Sequence, residues 1–112
     1  MLDLTVICGS LYEIKLLDGT VLKLKRPTQE MYETILSLSK SVKKMEDGNM
    51  GIIDAVMEVF AAILNRNDKG IKFTKEQLAD DYDFMVAMTV MGDYMKFYSE
   101  EIKSKVDFQV AQ

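Results

Sequence analysis

Residues 65–76, NRNDKGIKFTKE, have the spacing of a calcium loop. Asn65 and Asn67 carry oxygens at the first and third positions, Gly70 stands at the sixth and Glu76 at the twelfth. A hard cation wants this: alternating oxygen ligands, a sharp glycine turn and a closing carboxylate. The remaining positions disagree. The fifth is Lys69, a cation where a ligand belongs, and the eighth is Lys72, where an apolar residue normally ties the loop to a second one. The first ligand is uncharged, and Asp68 falls at the fourth position, which does not point inward. The only other segment of this kind, DGNMGIIDAVME (residues 47–58), lacks the sixth glycine. The favoured reading is a metal-free connection. Asn65 and Asn67 end one helix, Gly70 turns, Ile71 and Phe73 pack inward, and Thr74 with Gln77 forms a capping box for the next helix.

Two other clusters invite chemistry. Asp80 to Asp83, DDYD, could hold a cation, but carboxylates are also favoured at a helix N-terminus, and a long helix follows. Lys23 and Lys25 with Lys40, Lys43 and Lys44 could meet nucleic acid. No aromatic is interleaved with the helical lysines, and a net charge of −4 repels phosphate, so a solvated face is the better account. There is no histidine, one cysteine (Cys8) and no glycine-rich phosphate loop. The usual general base, zinc ligands and nucleotide cradle are all missing, and the expectation is a non-enzyme without metal or cofactor. A single cysteine, a first segment without a basic stretch and no apolar run of spanning length point to a soluble, cytoplasmic protein.

These residues must be positioned by a small fold. The 112 residues, 48% hydrophobic and 29% charged, suit one compact domain over 1–112. Tyr12, Ile14 and Leu16 alternate, as do Leu22 and Leu24, around Asp18-Gly19. A three-residue loop, Leu17 to Gly19, puts Ile14 opposite Leu22, Tyr12 opposite Leu24 and Glu13 opposite Lys23, with Gly19 at a left-handed position. Leu2 to Val6 alternates weakly and would add a third short strand, completing a hairpin element over 1–26. Pro27 ends it. Thr28 caps a helix with a stripe of Met31, Ile35, Leu38, Val42 and Met45, broken at Gly48. A second helix, Ile52 to Asn65, is apolar nearly all round, with Asp54 and Glu58 as its only polar stripe. A short helix starts at Thr74, and a long one runs from about Asp81 to Lys103. The fold class is α+β: a hairpin followed by a small four-helix bundle (28–105) and a tail (106–112) that is frayed or partner-dependent.

Nine methionines are many for this length. Met88, Met91, Met95 and Tyr98 form the main stripe of the last helix, with Met85 and Tyr94 off its centre. Met fills cores and also lines surfaces that fit varied apolar partners. Helix two and the last helix together carry more apolar surface than so small a domain hides, which predicts self-association and a client face made of Met85, Met88, Met91, Tyr94, Met95 and Tyr98, with Met85 and Tyr94 outward.

The phrases LLDGTVLKLKRPT, ILNRNDKG, FTKEQL and YMKFY, in this order between about Leu11 and Lys103, give the chain its resemblance. It resembles the tail assembly chaperones of long-tailed bacteriophages and related prophages. The resemblance implies a non-enzymatic protein of virion morphogenesis in the bacterial host cytoplasm, absent from the mature virion. It implies binding to the apolar, helical tape measure protein and recruitment of tail tube protein, with no nucleic acid or membrane partner. It carries no site residue over. The alternative from the residues alone is a small calcium-binding or DNA-binding regulatory module of a mobile element.

Overall fold

The computed structural model describes residues 11–43 and 50–110. Met45, the break at Gly48 and the short strand expected at Leu2–Val6 lie outside the described residues. The order of elements is β1 (Tyr12–Lys15), β2 (Val21–Leu24), α1 (Gln29–Lys43), α2 (Met50–Leu64), α3 (Lys75–Asp81) and α4 (Phe84–Val110). This is an antiparallel hairpin followed by four helices, the α+β arrangement expected.

The hairpin has the register that the face-matching argument requires. Tyr12 pairs with Leu24, Glu13 with Lys23 and Ile14 with Leu22. The Leu16 amide donates to the Thr20 carbonyl and the Gly19 amide to the Leu16 carbonyl, closing a three-residue loop. Gly19 has φ 90°, a conformation in which a Cβ would be strained. Tyr12, Leu22 and Leu24 are buried, and Ile14 and Leu16 pack against the same core.

The outer edge of β2 is covered by the α2–α3 connection. Leu24 bridges Asn67, the Lys25 amide donates to the Arg66 carbonyl, and the Asp68 amide donates to the Lys23 carbonyl. The start of the segment that resembled a calcium loop, Arg66 to Asp68, therefore lies along the two-stranded sheet and joins it through one isolated bridge.

α1 starts where Thr28 predicts: its hydroxyl accepts from the Met31 amide at 3.2 Å. Ile35 is buried, and Met31, Leu38 and Val42 pack beside it. α2 is the central element and packs against α1, α3, α4 and β2. Val56, Met57, Val59, Phe60, Ala61, Ile63 and Leu64 are all buried. The apolar surplus assigned to this helix is thus absorbed by its own domain. Its polar stripe meets Lys75, whose ammonium lies 2.9 Å from Asp54 and 3.4 Å from Glu58. Those carboxylates hold the Lys75 pKa up, Asp54 foremost.

The long helix begins at Phe84, three residues later than expected. Tyr82 is extended (φ −131°, ψ 146°) and ends α3, and the Asp83 carboxylate accepts from the Val86 amide at 2.9 Å to start α4. At its other end α4 continues through Val110, so 106–110 prolong the helix that was expected to stop near Lys103.

Candidate interaction surface

The six residues expected to meet a client do not form one exposed face. Met91 and Tyr94 are buried, at 1% and 0% exposure. Met88 and Met95 are half-buried against the core. Tyr98 is half-buried, edge-on to Tyr32 with ring centroids 5.3 Å apart. Only Met85, 71% exposed, faces outward. The placement of Tyr94 outward is therefore corrected. The buried seam of α4 is Ala87, Met91 and Tyr94, with Phe84 packed beside it, rotated from the stripe of Met88, Met91 and Met95 toward the smaller Ala87. Small Ala87 lies against the core, and the Tyr94 hydroxyl finds a polar partner inside by donating to the Lys25 carbonyl at the end of β2.

Apart from Leu36 on α1 and Ile102 on α4, the exposed large apolar side chains lie around the hairpin tip and the start of α4. Leu17 is 77% exposed and sits at the top of the loop. The loop is held by the Thr20 amide, which donates to Asp18 Oδ1 at 2.9 Å. Tyr82 stands beneath it, its ring edge-on to Phe60 at 5.5 Å. On one side of Tyr82 a cleft of about 660 Å³ opens between the tip, residues 71–73 and α3, with Ile71, Phe73 and Leu78 in its walls. On the other side a groove of about 280 Å³ runs between β1 and α4, past Ile14, Val86 and Val90. Leu16, Leu17 and Tyr82 line both, so one apolar surface continues across Tyr82 from Ile71 to Val90. Ile71, expected inside, is 39% exposed here, and Val86 is 37% exposed. Phe73 packs against the core, as the spacing predicts.

Acidic groups rim this surface. Asp18, Asp80 and Asp81 border the cleft and Asp93 the groove, against one lysine each, Lys72 and Lys15. The Thr20 amide bound to Asp18 lowers that carboxyl's pKa. The DDYD reading also changes. Asp80 and Asp81 lie in the last turn of α3, the end of a helix that disfavours anions, and Asp83 alone caps α4. Their local setting does not account for these two carboxylates, whereas an acidic rim does.

The connection that raised the calcium question spends its amide groups on itself. Asn67 donates to the Leu64 and Ile71 carbonyls, at 2.8 and 2.7 Å, and accepts from the Lys69 and Ile71 amides, at 2.9 and 3.1 Å. Asn65 makes a two-way bridge to Phe73, accepting from its amide at 2.6 Å and donating to its carbonyl at 3.0 Å. Gly70 has φ 71° and turns the chain. Thr74 and Gln77 exchange the two bonds of a capping box. Among the described residues no group of three or more Asp, Glu, Cys or His is gathered for a metal ion. Lys23 on β2 and Lys25 just after it are exposed, Lys40 and Lys43 lie in the last turn of α1, and Lys44 lies outside the described residues. No helix among the described residues is long and apolar enough to cross a membrane.

No protein-family model matches the chain, and no curated protein and no solved structure matches it.

Proposed function

We propose that this protein is a non-enzymatic tail assembly chaperone that binds an apolar helical client, the tape measure protein, in the cytoplasm of a bacterial host. The observation that carries the reading is the apolar surface over Tyr82, from Ile71 through Leu17 to Val86, with Met85 beside it on α4. A helix laid on a groove is read through anchors three and four residues apart. The cleft and groove are walled by Leu, Ile and Val, and exposed Met85, next to Val86 in α4, adds a flexible side chain that accepts several anchor shapes. Burying one such anchor is worth about 1.5–3 kcal/mol, so a few give a reversible contact in about the micromolar range. The acidic rim favours clients whose apolar stripe is flanked by Lys or Arg. The resemblance of the sequence phrases to those of tail assembly chaperones gives the client its name, and recruitment of tail tube protein belongs to the same proposal.

The test is co-expression with the tape measure protein. Leu17→Asp and Met85→Asp change two well-exposed side chains, so both variants keep their circular dichroism and melting temperature. Together they lose the ability to keep the client soluble. Retained solubilisation by a folded double variant would overturn the assignment of this surface. A wild-type protein that never solubilises the client would overturn the function itself.

A further inference from the structure

β1 presents an edge that no described residue covers. The phase of the ladder fixes which groups lie there. Leu16 bonds across to Thr20, so Ile14 and Tyr12 also turn their main-chain groups toward β2. On the opposite strand Lys23 turns its amide and carbonyl outward, both to Asp68. Its partner Glu13 must then turn its own amide and carbonyl away from β2, and so must Lys15, paired with Val21. No described residue bonds to these four groups. Both side chains are exposed. The edge borders the groove between β1 and α4, whose apolar walls include Ile14, Leu16, Val86 and Val90.

We propose that this edge pairs with the same edge of a second copy, giving a four-stranded antiparallel sheet across a two-fold axis at Ile14. Antiparallel pairing about Ile14 sets Glu13 opposite Lys15 of the second copy, and Lys15 opposite its Glu13. All four outward groups on each copy are then bonded, and both cross-strand pairs are of opposite charge. A parallel or shifted alignment loses this match, so the charges specify one register. The axis stands perpendicular to the sheet, which keeps the apolar faces on one side. Ile14 and Leu16 of the second copy then lie over the mouth of the groove beside Val86 and Val90. Three features coincide: unpaired main-chain groups, a self-complementary charge order and an apolar groove along the same strand. Proline and a bulge are absent at Tyr12–Lys15, and the charges that would keep so short an edge apart, Glu13 and Lys15, are of opposite sign and match across the axis.

The experiment is sedimentation of the full chain at about 0.1 mM, where contacts as weak as tens of micromolar register. Wild type sediments at twice its 12.8 kDa monomer mass. Glu13→Lys sets cations against cations and Lys15→Glu sets carboxylates against carboxylates, so each variant alone dissociates about tenfold or more readily. Mixed in equal amounts, the two are complementary and return a dimer containing one of each. Lys15→Pro removes an outward amide and no inner ladder bond, and it sediments as a monomer. If that variant fails to fold, the mixed pair still decides. A monomeric wild type, a dimer indifferent to these changes, or a mixture no tighter than its components would overturn the proposal. So would slow hydrogen exchange at Glu13 and Lys15 in a monomer, which would mean that the chain's own residues 1–10 cover the edge.

Discussion

The Tyr94 hydroxyl donates to the main-chain carbonyl of Lys25, joining the middle of α4 to the end of β2 across 69 residues of sequence. The ring is fully buried and meets Tyr12 edge-on at 5.5 Å. One side chain thus holds the sheet on the bundle by packing and by a hydrogen bond at once.

Tyr94→Phe keeps the packing and leaves the Lys25 carbonyl without this donor. The expected loss is about 1–2 kcal/mol, read as a lower urea midpoint with an unchanged slope. Tyr94→Asp buries a charge without a partner and should not fold at all. A folded, stable Tyr94→Asp protein would contradict the placement of this ring.

Alkaline pH should unfold the protein through two phenols. Burial raises the Tyr12 pKa far above its ordinary value, and the Asp93 carboxylate, which accepts its hydrogen bond at 2.5 Å, raises it further. Burial pushes Tyr94 up to about 12, with Arg66 nearby pulling the other way. Below pH 10 both groups are protonated in the folded and unfolded chain alike. Above it the unfolded chain releases protons that the folded chain keeps, so stability falls as pH rises toward the folded values. Urea midpoints should hold steady to about pH 9 and drop beyond pH 10, and Tyr12→Phe should make the drop shallower.

The α2–α3 connection should be a rigid, metal-indifferent unit. Asn67→Ala removes four hydrogen bonds from its centre and should cost about 2–3 kcal/mol. Thr74→Ala breaks the capping box and should cost about 0.5–2 kcal/mol. Calcium should leave the melting temperature where it is. A clear rise that Glu76→Gln abolishes would restore the metal reading.

Two glycines should respond in opposite directions to alanine. Gly92 lies within α4 with nothing near its missing Cβ, so Gly92→Ala should stabilise by about 0.5–1 kcal/mol. Gly70 also has open space but a φ of 71°, so Gly70→Ala should destabilise by about 1–2 kcal/mol. Thermal melts of the two variants, run side by side, check both signs.

The hairpin register and the caps were legible in the sequence because they depend on near neighbours. Two-residue alternation, a turn glycine and a Thr-x-x-Gln spacing each admit few local solutions. The buried seam of α4 was not legible. Ala87 and Met88 are one position apart, and choosing between the seams they belong to requires the shape of α2 and the sheet. Tyr94 reads as outward because it sits off the centre of the methionine stripe, and the partner that receives its hydroxyl inside, Lys25, is remote in sequence. The surface at the hairpin tip was missed for the same reason: Leu17, Ile71 and Val86 come from three separate segments and meet only over Tyr82. A hint was present in Leu17, an apolar residue in a three-residue turn where a polar one would serve.

The Lys25–Tyr94 tie also has a consequence for synthesis. A ribosome makes the hairpin before the helices, yet among the described residues its long-range bonds include those from Arg66 and Asp68 in the connection, Tyr82 at the end of α3, and Asp93 and Tyr94 in α4. At ordinary elongation rates the 69 residues between Lys25 and Tyr94 take roughly 3–14 s to make. The edge of β2 is open until Arg66–Asp68 follow, and the core that receives Leu22 and Leu24 lacks α4 until Tyr94 is made. Docking of the hairpin is complete only with α4, so translational pausing within the codons for α4 should lengthen the exposure of the chain to aggregation and to host holdases, while pausing before the hairpin should not.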